Sequence, residues 1–144
     1  MHVNRQVREA VKEALDGLTS LASVSTNRST DLLDEHLPAA IIGTSSDEVA
    51  EESKGGHERR VILLAVTIAA DGLAQGLDDD LDAIRAEIET ALAGDLGGLA
   101  MRVEHTGGEL DMGTDEDGER WFAFLTLTWD VEVWTETGDP ETAL

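Results

Sequence analysis

Leu32-Leu33-Asp34-Glu35-His36-Leu37-Pro38-Ala39-Ala40-Ile41-Ile42 runs from an acidic turn into an almost wholly apolar strand opened by proline. Pro38 lacks a backbone N–H, so it belongs at the first residue of a strand or on a sheet edge. Ala39 to Ile42 then supply four apolar residues in a row, the pattern of a strand with both faces covered. This stretch fixes the register of its surroundings: one helix before it, a long strand after it, then a second helix and a closing hairpin.

Upstream, Val3, Val7, Val11, Ala14, Leu15 and Leu18 recur at helical spacing, with Asn4 as the N-cap and Gly17 near the stop. An amphipathic helix over 4–17 is expected. The Ser/Thr/Val-rich stretch 21–28 suits a first strand, and the second runs over 37–44. Residues 45–57 show no apolar period and contain Gly55-Gly56, as in a long acidic loop or a mobile hairpin tip. In the third strand, 59–70, both alternating faces are apolar (Val61, Leu63 and Ala65; Ile62, Leu64, Val66 and Ile68), which predicts a central strand covered on both sides.

Leu77, Leu81, Ile84, Ile88, Ala91 and Leu92 mark a second helix over 77–93, with Asp78, Asp79 and Asp80 in its first turn, where the helix dipole favours carboxylates. Two strands follow, over 99–110 and 120–135. On the last, Trp121, Ala123, Leu125, Leu127, Trp129, Val131 and Val133 share one face; Phe122, Phe124, Thr126, Thr128, Asp130, Glu132 and Trp134 share the other. The expected fold is α+β, one domain over 1–135 in the order α-β-β-β-α-β-β. It is a mainly antiparallel sheet packed by two helices, with a flexible tail over 136–144.

The chain has 144 residues, no cysteine, and 10 basic against 31 acidic side chains, a net charge of −21. One domain of this size buries a real core without staples. There is no disulfide framework, no thiol chemistry and no stretch of the ~18 apolar residues that a membrane span needs. Lacking an apolar signal segment, it is expected to stay in the cell that makes it. The acidity argues against wrapping nucleic acid, which requires a basic footprint. Residues 73–144 hold 3 basic and 19 acidic side chains, against 7 and 12 in residues 1–72. Two readings of this composition stand: a solvated surface that prevents non-specific adhesion, or adaptation to a halophilic host, whose salt screens carboxylate repulsion.

Catalytic and metal constellations are weak. Aligning Asp115, Asp117 and Gly118 with a calcium loop puts Gly113 at its first position and Phe124 at its twelfth, where carboxylates are required. Asp78 and Asp82 share a helix face, but Asp79 and Asp80 do not. His2, His36, His57 and His105 are scattered, and no nucleophile elbow, P-loop or dinucleotide fingerprint is present. No catalytic residue, metal or cofactor is expected. The mixed face of the last strand, with Phe122, Phe124 and Trp134, is the better candidate for a partner surface.

Taken in order, these elements resemble the tail terminator proteins of long-tailed phages and related tailed viruses, the lambda-type minor tail protein family. The resemblance rests on the opening helix Arg5-Gln6-Val7-Arg8-Glu9-Ala10-Val11-Lys12-Glu13-Ala14-Leu15 and on Leu33-Asp34-Glu35 before Leu37-Pro38-Ala39. It continues through the acidic loop and second helix to Asp115-Glu116-Asp117-Gly118 ahead of Trp121, then Leu125-Thr126-Leu127-Thr128-Trp129. The tail after Thr135 and the acidity depart from the family pattern.

The resemblance implies a hexameric ring in the tail-neck region of a virion, assembled in the host cytoplasm. Such a ring caps the major tail tube protein, stops its polymerisation and meets the head-tail connector, or stopper, protein. DNA passes through its bore without specific binding. On this reading the subunit and tube interface falls on Glu48, Glu51, Glu52, Lys54, His57, Phe122, Phe124 and Trp134. Another neck or head-completion protein, or an acidic DNA-mimic regulator, remains the alternative.

Overall fold

The computed structural model describes residues 1–26, 36–52 and 56–144. Its first helix, α1, spans Val3–Asp16 and buries Val3, Val7, Val11 and Leu15, the four-residue apolar repeat seen in the sequence. The N-cap is His2, not Asn4: the His2 ring nitrogen accepts the Asn4 backbone N–H at 3.0 Å. Five strands and a second helix follow: β1 Ser23–Ser25, β2 Ala39–Glu52, β3 His57–Gly72, α2 Ala74–Ala91, β4 Arg102–Thr114 and β5 Trp121–Glu136. In space the strands lie in the order β1-β2-β3-β5-β4.

The expected α+β arrangement, mainly antiparallel in the order α-β-β-β-α-β-β, is corrected. The sheet is mixed, since β1 runs parallel to β2 with Ser23 opposite Ala39. Among the described residues strands outweigh helices, five strands against two helices. Apolar periodicity reports which face of a strand is buried, not which neighbour it pairs with or in which direction.

Three boundaries also move. Strand β2 starts directly after Pro38, as proline's missing donor requires, but passes Thr44 through a bulge and stays paired with β3 as far as Glu52 opposite His57. Of the two readings of 45–57, loop or hairpin tip, the described residues form a paired hairpin arm. Asp47, Glu48, Val49 and Ala50 are all exposed there, so no buried face imposed an apolar period. The second helix begins at Ala74, which moves Asp78, Asp79 and Asp80 out of its first turn. The segment expected as a flexible tail is tied back: Ala143 bridges Thr135, the Leu144 N–H reaches the Trp134 carbonyl at 2.8 Å, and Pro140 accepts from Val3 at 2.8 Å.

Both helices pack on one face of the sheet. Beneath them lie Ala40 and Ile42 of β2; Ile62, Leu64, Val66 and Ile68 of β3; and Leu125, Leu127, Trp129, Val131 and Val133 of β5, in one core with the Leu77, Leu81, Ile84, Ile88 and Leu92 stripe of α2. Each fully buried aliphatic side chain contributes roughly 1.5–3 kcal/mol of transfer free energy. Trp121, on the same face of β5 as this core, is only half-buried because it opens the strand at the sheet's end. Among the described residues no helix is long and apolar enough to cross a membrane.

Candidate functional site: the open face of the sheet

Among the described residues the opposite face carries no helix. On β3 the odd positions Val61, Leu63, Ala65 and Thr67 are half-buried, while the even positions from Ile62 to Ile68 are buried. The expectation that β3 is covered on both sides is corrected: among the described residues helices cover only one side, and the other is half-buried. Its second apolar face lies open beside Thr126 and Thr128 of β5 and Ile41 and Gly43 of β2. Thr67 and Thr126 meet across the strands at 3.1 Å. Small side chains leave a depression of about 360 Å³ lined by Ile41, Gly43, Ser45, Ala65 and Thr67.

Phe122, Phe124 and Trp134 share this face but do not form one patch. Register sets Phe124 opposite Ala69 and Trp134 opposite Arg59, about ten residues or ~33 Å apart along the strand. At the first end Phe124 is 47% exposed, and the Arg120 guanidinium stands 5.7 Å over the Phe122 ring while bonding Asp71. At the second end Trp134 donates its indole N–H to Glu132 at 2.8 Å. His57 lies two positions from Arg59 on β3, and Glu48 sits opposite Val61, so both belong to the Trp134 end. Glu51 and Glu52 close β2, in register with Glu58 and His57. Lys54 lies outside the described residues.

Arg59 was not legible from sequence as part of this surface. It stands between Ala50 and Trp134, and its Nε is shielded from water with no hydrogen-bond acceptor. The adjacent Arg60, on the other face, is paired with Glu58 at 3.2 Å and Asp47 at 3.5 Å.

A second polar cluster lies on the helix side. Arg85 of α2 bonds Glu89 at 2.8 Å, and the His105 ring of β4 reaches Glu89 at 3.0 Å and Arg85 at 3.3 Å. The hydrogen bond from Arg85 holds the Glu89 carboxyl below its ordinary range; partial burial opposes this, and the charges of Arg85 and His105 reinforce it. The Arg85/Glu89 spacing of four was the only sequence signal for this cluster. Among the described residues no group of three or more His, Asp or Glu is placed to hold a metal ion. In the acidic turn, Asp115 instead accepts the backbone N–H groups of Glu119 and Arg120 at 3.2 and 3.4 Å.

No known protein family matches the chain, and no curated protein does. Among solved structures, it is similar to a chain from a structure described as "Virion of native gene transfer agent (GTA) particle". That likeness has 17% identity and a TM-score of 0.48, covering 88% of this chain and 94% of that one.

Proposed function

We propose that the chain is a structural subunit of a tailed-virus-type particle, assembling into a closed ring, hexameric in the family it resembles. The ring caps the tail tube, ends its polymerisation and joins the tail to the head connector. The observation that supports this reading best is the open sheet face. Among the described residues, a strand that is apolar on both sides is covered by helices on one side only, leaving Val61, Leu63 and Ala65 for a neighbour. Such a surface suits assembly better than chemistry. A closed ring would also limit pairing at the outer strand β4, the long edge of the sheet.

Native mass spectrometry of the purified protein tests the reading, followed by addition of the protein to growing tail tubes. Rings of about six copies that arrest tube growth are the expected result. A monomer at every concentration and salt would overturn it. A monomer that instead inhibits a nucleic-acid enzyme would favour the acidic DNA-mimic alternative, which the concentration of acid in residues 73–144 suggests.

A further inference from the structure

We propose that the outer edge of β4, from Gly108 to Thr114, pairs with an extended, lysine- or arginine-bearing segment of a different protein, which adds to the sheet as a further strand. The inference goes beyond the ring reading and does not depend on it.

Strand β4 ends the strand order, and among the described residues only β5 pairs with it. Its outer side therefore presents alternate backbone N–H and C=O groups without a strand partner, a template for strand addition. Three common ways of blunting such an edge fail here. The strand is long, at 13 residues, and it holds no proline. Its bulge lies between His105 and Gly107 and leaves the pairing with β5 unbroken from Gly107 to Thr114. Gly113 adds a second sign. A side chain there would meet nothing within 4 Å, and its φ lies outside the left-handed region, so nothing among the described residues requires glycine. Glycine inside a strand often marks the close approach of another backbone.

The two faces of β4 specify the occupant. On the open-face side Glu109 stands opposite Thr126 and Asp111 opposite Phe124; both carboxylates are exposed, and neither meets a cation among the described residues. Other exposed acids are answered within the chain: Glu9 by Arg5, Asp16 by Lys12 and Asp47 by Arg60. Asp79 and Asp82 are not, but they stand on α2, whose backbone offers no open ladder. On the helix side Leu110 is exposed and Met112 half-buried, at the border of the core. A strand that alternates cationic with apolar residues satisfies both rows. Its cations face Glu109 and Asp111 as cross-strand pairs, and its apolar residues extend the core over Leu110 and Met112. A second copy fits badly. Its own β4 would set the same carboxylates against these, and like charges directly opposite are destabilising. The other edge, β1, spans three residues. Nucleic acid brings no strand and the wrong sign.

Fluorescence anisotropy of the full chain with a labelled synthetic peptide of ~10 residues, alternating lysine with valine, tests the edge. The control peptide has the same sequence with its backbone nitrogens methylated, which keeps the charge and removes the donors. It should bind at least ~10-fold more weakly, since several backbone hydrogen bonds are lost. The double variant Glu109→Gln, Asp111→Asn should bind the parent peptide at least ~5-fold more weakly. Asp79→Asn with Asp82→Asn, which removes the same charge from α2, should leave it within ~2-fold. Binding should weaken as potassium chloride rises from ~0.1 M to ~1 M. Hydrogen exchange on the wild-type protein should show residues 108–114 gaining protection when the parent peptide is added. Equal binding of the methylated peptide, or equal loss in the two double variants, would reduce the contact to charge adhesion and overturn the proposal. So would protection at 61–67 in place of 108–114, which would move the peptide to the open face. Protection of 108–114 on self-association alone would make a second copy the occupant. Absence of binding at ~0.1 M salt, where attraction is least screened, would also sink it.

Discussion

The His105 imidazole lies 4.6 Å from the Trp129 ring, centroid to centroid, with the planes tilted by 31°. The outer strand β4, most of whose side chains are exposed, is thereby fastened to the buried centre of β5. The Nδ1 atom of His105 is 2.8 Å from the Thr128 carbonyl, which can only accept, so that nitrogen carries the hydrogen. Nε2 then faces Arg85 and Glu89, accepting from the arginine when the ring is neutral and donating to the carboxylate when it is charged. Trp129 is 2% exposed at the middle of the core. Trp129→Ala should cost about 3–5 kcal/mol in denaturant unfolding monitored by circular dichroism, since the cavity cannot fully collapse. A loss under ~1 kcal/mol would place Trp129 outside the cooperative core.

Glu89 gives the pH prediction. Its folded carboxyl titrates below the ordinary value, first because Arg85 bonds it. Such a group adds stability above the unfolded carboxylate pKa, ~4.3, and that increment disappears as pH falls through the lower folded value. Wild type should therefore melt above Glu89→Gln at pH 7, with the two converging toward pH 2. The side chain is 38% exposed, so the gap should be small. A gap that widens in acid would reverse the assignment.

Gly108 sits under the Arg85 side chain. A Cβ built there lies 3.0 Å from both the Arg85 Nη1 and the Leu127 Cδ2 atoms. The arginine end can swing away, but only by leaving Glu89 and His105, while Leu127 is fully buried and has little room. Gly108→Val should cost about 1–3 kcal/mol by overpacking. Chemical denaturation with the slope held in common measures it, and no loss at all would mean that β4 shifts freely.

How much of this was legible in the sequence follows from what was buried. The alternation from Trp121 to Val133 assigned both faces of β5 correctly, because one of those faces is core. The Val3, Val7, Val11 and Leu15 spacing located α1 for the same reason. Beyond Thr44 the sequence left loop and hairpin tip undivided, because an exposed strand carries no period. The parallel partner of β1 was not readable from three residues. Phe122, Phe124 and Trp134 were rightly placed on one face, but periodicity gives a face and not a distance, so their ~33 Å separation was hidden. Arg59 stayed invisible because an unpaired cation is defined by what surrounds it in space.

The exposed aromatic end of the open face makes its own prediction. Phe124 protrudes from β5, and Phe122 lies beneath Arg120 outside the helix-covered core. The double variant Phe122→Ser, Phe124→Ser should keep its fold by circular dichroism yet associate at least ~10-fold more weakly, as buried interface aromatics carry much of the binding energy. If it assembles as wild type does, this end does not touch a neighbour, and the contact is confined to the Trp134 end or lies elsewhere.

Salt should tune association through the repulsion of exposed carboxylates. Repulsion among exposed carboxylates on chains of −21 acts across the ~8 Å Debye length of 0.15 M salt and is largely screened at the ~3 Å length of 1 M. Apolar contacts at Val61, Leu63 and Phe124 are not weakened by screening. The sum is association that strengthens as potassium chloride rises from ~0.1 M to ~1 M and beyond, opposite in sign to an interface held by exposed ion pairs. Rings at low salt that fall apart into monomers at high salt would show that exposed opposite-charge pairs, and not screened repulsion over an apolar face, govern assembly.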